Sequence, residues 1–270
     1  MNADINVSDA PNENPQFKRD PRKKGENNIG WLERQLKGYE KVAIVLAGGS
    51  DNLSCRVRVA QAHLRFNFTP SHWSHCFLLL HGTRDGLVYE ISLQPPGGFG
   101  FAGATNAMQE APLTSYESVK RWPNMAVIRV DSIDPEQAGQ LLLHFGKQRA
   151  IVDAVSLLVR WLAYAWGAGN SGNPVLEGQG LPSAAMIEAV CNGCGYDISP
   201  ITPSRSSTPE ALWQSTKWWH HAPRTAKAAA TERGENELPA DLPTGRFIIE
   251  HDLGDQSEGE WSEALKPRSR

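Results

Sequence analysis

Residues 74–80 and 87–91 constrain the fold more than any other stretch of this chain. Ser74-His75-Cys76-Phe77-Leu78-Leu79-Leu80 and Leu87-Val88-Tyr89-Glu90-Ile91 are apolar runs of strand length. Between them lies His81-Gly82-Thr83-Arg84-Asp85-Gly86, rich in turn formers. Two such runs joined so tightly predict an antiparallel hairpin. A side-chain period of two then puts His75, Phe77 and Leu79 on one face and Cys76, Leu78 and Leu80 on the other. His75 and Cys76 therefore cannot work as a base and nucleophile. If the hairpin pairs near its middle, Glu90 approaches the imidazole and can hold its tautomer by accepting a ring N–H. The plain alternatives are a histidine satisfied at the core's rim and a carboxylate facing water at a strand edge.

The rest of the chain supplies partners for such a sheet. Lys41 to Ala47, ended by Gly48-Gly49, and Met125 to Val130 read as further strands. Asp134-Pro135-Glu136 opens a helix with an acidic cap and an early proline, and its apolar face is Ala138, Leu141, Leu142 and Phe145. A second helix is predicted over Ile151 to Trp166. A third starts at Ser183 and carries Met186, Ile187, Val190 and Cys191 on one side. Strands of this kind with separate helices imply an α+β domain, an antiparallel sheet packed against helices. Its expected bounds are 29–222, between a disordered tail over 1–28 and a flexible tail over 223–270, with one short ordered segment at Phe247-Ile248-Ile249. The Gly- and Pro-rich stretch Gln94 to Gly103 reads as a loop flanking a groove. Trp161, Trp166 and Trp213 are candidates for that groove's lining, with a core role as the plainer reading.

Composition removes several function classes. A net charge of −3 in 270 residues gives no general basic field for nucleic acid. The basic run Lys18 to Lys24 reads first as a solubilising tail, although the charged ends could recruit a protein partner. The first residues carry no basic and apolar leader, and the apolar stretch Ala150 to Ala168 is broken by Asp153 and Arg160. The expectation is a cytoplasmic protein without a membrane span, with export lacking a cleaved signal left open. Cys191-Asn192-Gly193-Cys194 closes a helix at Gly195, where a thiolate gains nothing from the helix, and no second ligand pair follows it. Adding His220-His221 would complete a four-ligand set, but adjacent histidines in an extended chain point apart. No metal and no cofactor are expected.

Ser183 follows Pro182 at a predicted helix start, the usual place for a capping serine. It is also where unpaired N–H groups and the positive helix end would favour a nucleophile and an oxyanion. The order of segments decides between these readings through a resemblance. A Ser-His strand, a polar residue on the next strand and a helix opening at 183, followed by Gly195 and Ser207-Thr208-Pro209-Glu210-Ala211-Leu212, resemble the circularly permuted NlpC/P60-type papain-like cysteine hydrolases. Gly146-Lys147 and Val152-Asp153 are similar to a further motif of that family, without its tyrosine.

The resemblance covers residues 40 to 216. It implies a papain-like fold with His75 as general base, Glu90 as the orienting residue and Ser183 at the nucleophile's position. The implied activity is hydrolysis or transfer at a peptide, amide, ester or thioester bond through an acyl-enzyme on residue 183. Its substrate would be peptide-like or an acyl compound. The family has cysteine at that position, and a serine hydroxyl must lose its proton during attack, where a thiol is already partly ionised. Three readings of Ser183 follow: a working serine, an inactive descendant that binds as an adaptor, or a deliberate Cys→Ser exchange.

Overall fold

The computed structural model describes residues 16–94, 106–200, 202–219 and 242–254. The apolar runs assemble into one seven-stranded sheet. Its strands are β1 (Phe17–Arg19), β2 (Ala43–Gly48), β3 (His75–Leu79), β4 (Leu87–Glu90), β5 (Gln109–Pro112), β6 (Asn124–Arg129) and β7 (Thr244–Ile248). Their order is β1-β7-β6-β2-β3-β4-β5, and every pairing is antiparallel except that of β1 with β7. All six residues of β2 are buried, as expected of a central strand covered on both faces.

Among the described residues six α-helices flank this sheet: α1 (Asn28–Gln35), α2 (Asn52–Ala60), α3 (Pro135–Lys147), α4 (Ala154–Trp166), α5 (Pro182–Gly193) and α6 (Pro209–Trp218). The α+β class and the antiparallel sheet packed on helices are thus observed. Alternation divides the core. Ile44, Leu46, Cys76, Leu78, Ala126 and Ile128 face the layer formed by α2 to α6. Ala43, Val45, Phe77, Leu79, Met125 and Val127 face α1 and the segment carrying Tyr116 and Trp122. No helix among the described residues is long and apolar enough to cross a membrane.

Helix starts follow their caps. Asp134 accepts from Gln137 N at 3.0 Å to open α3, and Asp153 accepts from Ser156 N at 3.1 Å to open α4. The second cap explains why α4 begins at Ala154 instead of Ile151. Gly167 ends that helix in the left-handed region, φ 67°. Thr208 caps α6, so Ser207-Thr208-Pro209 is a helix entrance, with Leu181 N donating to Ser207 O at 2.9 Å and tying it to the start of α5.

Two domain bounds need correction. Phe17 to Arg19 form β1, although residues 1–28 read as a polar tail. The reason is a single apolar side chain: the Phe17 ring lies over Gly245, where an added Cβ would come within 2.4 Å of it, and meets Trp213 edge-on at 5.2 Å. Arg22, read as part of a solubilising run, instead reaches Asn28 Oδ1 at 2.8 Å and Glu250 at 2.7 Å. At the other end β7 spans five residues, starting before the predicted Phe247-Ile248-Ile249. The chain after it is strapped down by the buried Arg58, whose guanidinium donates to His251 O at 2.8 Å, and by Asn124, which accepts from His251 N at 2.9 Å. Long-range partners of this kind leave no periodic mark in a polar segment.

Candidate active site

The hairpin brings His75 and Glu90 together. β3 pairs with β4 at Leu78 and Tyr89, which sets Glu90 diagonal to His75 on the α1 side of the sheet. His75 Nε2 and Glu90 Oε2 are 2.7 Å apart. Gln109 donates to the other carboxylate oxygen at 3.0 Å, and the Tyr116 hydroxyl donates to Oε2. The imidazole lies parallel to the Tyr116 ring, 5.9 Å between centroids, with Trp122 at 6.3 Å.

Burial by itself would raise the Glu90 carboxyl, yet the hydrogen bonds from His75, Tyr116 and Gln109 and the charge of His75 outweigh it, holding the group below its ordinary value. Tyr116 moves the other way, well above the usual phenol range, first through burial and then through Glu90 beside it. An ionised carboxylate can only accept, so the network assigns the Nε2 proton to His75. Nδ1, the other ring nitrogen, is bonded by no described residue.

The ring borders a small cleft, open to solvent, at the open end of β3 and β4. Leu53 and Val57 of α2, with Leu93 and Trp122, form its apolar part; Ser54, Ser74, Ser92 and Gln94 supply neutral polar groups. All three hydroxyls are engaged, Ser92 Oγ by Gln94 N at 3.1 Å. Ser54 Oγ donates to Asp51 at 2.8 Å within the α2 cap, and Ser74 Oγ accepts from Gly49 N at 3.0 Å.

Ser183 is not brought to this histidine. It lies in α5, which packs on the face of the sheet carrying Cys76, opposite the face that carries His75. Its hydroxyl is 1% exposed, donates to the Cys76 carbonyl, and stands 3.5 Å from Ile91 N. The β3–β4 register would pair Cys76 with Ile91 two residues beyond Leu78 and Tyr89. Ser183 therefore sits where a ladder hydrogen bond would otherwise form, between the strand ends that border the cleft. It is not a cap either: Leu181 holds the N-cap position without a side-chain bond, and Ser183 lies one residue into the helix after Pro182. The expected triad is split, with His75 and Glu90 joined and Ser183 apart from both.

Sequence reasoning missed Gln109 and Tyr116. Gln109 reaches Glu90 because β4–β5 pairing puts the two opposite each other, and Tyr116 sits in a turn after β5. Neither position has a spacing signal, since both depend on a third strand. Trp161 and Trp213 lie in the core, with 0% and 3% exposure, while Trp166 is exposed. Cys191 is buried and Cys194 partly so, both as free thiols, and no described group of three or more His, Cys, Asp or Glu is arranged for a metal. His220, His221 and the Gly97 to Phe101 loop lie outside the described residues.

Comparison of the chain with protein-family models, with curated proteins and with solved structures finds no match in any of the three.

Proposed function

We propose that this chain is a papain-like domain of the permuted NlpC/P60 type that binds a peptide-like or acyl ligand at the His75 cleft without forming an acyl-enzyme at residue 183. The family part of the reading rests on the motifs around His75, Glu90, Ser183 and Thr208-Pro209. The non-catalytic part rests on one observation: the Ser183 hydroxyl is given to the Cys76 carbonyl on the α5 side of the sheet, while His75 is held by Glu90 on the α1 side. A nucleophile needs its base within hydrogen-bond reach, and here the hydroxyl is engaged by backbone at Cys76 and Ile91 and makes no hydrogen bond to His75. Treatment with a fluorophosphonate followed by peptide mapping tests this. No adduct at Ser183 is expected; an adduct there that vanishes in His75→Ala would restore the acyl-enzyme.

The fixed tautomer favours a second reading, a hydrolase in which His75 Nδ1 activates water in the cleft, oriented by Glu90. Aryl-ester hydrolysis that drops at least about a hundredfold in His75→Ala but persists in Ser183→Ala would establish it over the binding module. Equal background rates in both variants would remove it.

A further inference from the structure

We infer that the cleft beside His75 accepts a carboxylate carried on a small apolar amide, as at a peptide C-terminus or on an N-acyl amino acid, and that Arg121 selects for the carboxylate. The inference deepens the binding reading above and rests on it. None of the described side chains bordering the cleft is a lysine, arginine, aspartate or glutamate. A cation stands at the rim, Arg121: its Nη2 donates to Gln94 Oε1 at 3.2 Å, and its guanidinium stands 5.3 Å from the centre of the Trp122 ring. Gln94 and Trp122 both border the cleft, so these two contacts fix where the charge is.

Arg121 is exposed, and no described carboxylate forms an ion pair with it. A guanidinium carries five N–H donors in a planar fork, and the single bond to Gln94 leaves room for a carboxylate. Glu90 is sealed behind His75 and its oxygens are taken by His75, Tyr116 and Gln109, so it does not repel an anion as an open carboxylate would. At the inner wall the unpartnered Nδ1 of His75, a residue only 6% exposed, calls for a polar partner, which an amide supplies as a donor through its N–H or an acceptor through its C=O. Leu53, Val57 and Leu93 between them suit a short aliphatic group. An amide, an aliphatic side chain and a carboxylate in one small molecule match these three groups.

The test is a titration of the whole protein, with labelled histidine, followed at the His75 ring nitrogens. N-acetylvaline and N-acetylvalinamide are compared in the wild type and in Arg121→Gln, whose exposed position spares the fold. Saturable shifts are expected with the acid, about tenfold weaker binding of the amide, and loss of that preference in Arg121→Gln. Equal binding of acid and amide, or a preference that survives Arg121→Gln, would overturn the carboxylate inference and leave the cleft as a binding site. No shift at His75 with either compound would overturn both. A blocked tripeptide acid ending in valine separates the sources: tighter binding than N-acetylvaline identifies a peptide C-terminus, and equal binding a small N-acyl acid.

Discussion

The two faces of the sheet treat a buried acid in opposite ways. On the α1 side Glu90 is 1% exposed and receives three side-chain donors, from His75, Gln109 and Tyr116. On the α5 side Glu188 is 0% exposed, accepts from Ser199 N at 2.9 Å, and leaves Oε2 without a hydrogen bond. Burial, with a smaller contribution from Asp197, pushes the Glu188 carboxyl up to about 7, whereas Glu90 is held low. Depth is the same, so the donors decide which acid keeps its charge. The built polar network lies around His75, and the helix carrying Ser183 has none of comparable completeness.

The largest expected effect is on the satisfied side. Glu90→Ala leaves the Gln109 and Tyr116 donors and His75 Nε2 buried without their acceptor, and should cost about 3–5 kcal/mol in urea unfolding. A loss under about 1 kcal/mol would mean the network is not formed in solution.

Glu188→Gln should act in the opposite direction, and with pH. Below 4.5, the ordinary value for a glutamate, the carboxyl is protonated folded and unfolded, and burial carries no ionisation penalty. Between 4.5 and about 7 the unfolded chain ionises first, so wild-type stability falls as pH rises; above that the deficit is constant at roughly 3 kcal/mol. The glutamine variant should therefore exceed wild type by roughly that amount near pH 8 and converge on it near pH 4, as unfolding curves across pH would reveal. A difference independent of pH would contradict the account.

The smallest effect belongs to Ser183→Ala, about 1 kcal/mol for one lost bridging hydroxyl. Faster amide exchange at Ile91 is the expected signature. Unchanged exchange there would show that the hydroxyl does not take the place of a ladder bond.

What was legible in the sequence had local causes. The 74–91 hairpin, its alternation, the approach of Glu90 to His75, and the start of α3 follow from periodicity and capping within a few residues. What was missed needed distant chain. β1 exists because Phe17 meets Trp213 and Gly245, and Glu90 is ionised because β5 delivers Gln109. Ser183 shows the limit of linear order: a helix opening after a histidine strand has the sequence layout of a nucleophile, but which face of that strand the helix covers is fixed only by packing. Here α5 covers Cys76 and Leu78, the apolar side, while His75, Phe77 and Leu79 turn away.

The most direct measurement replaces Ser183 by cysteine and follows alkylation of residue 183 across pH, with His75 intact and in His75→Ala. Slow labelling with an ordinary thiol profile, the same in both backgrounds, is the result predicted for a side chain tied to Cys76 across the sheet from the imidazole. Rapid labelling at mildly acidic pH that disappears without His75 would mean that the two groups do meet, and would contradict the split site.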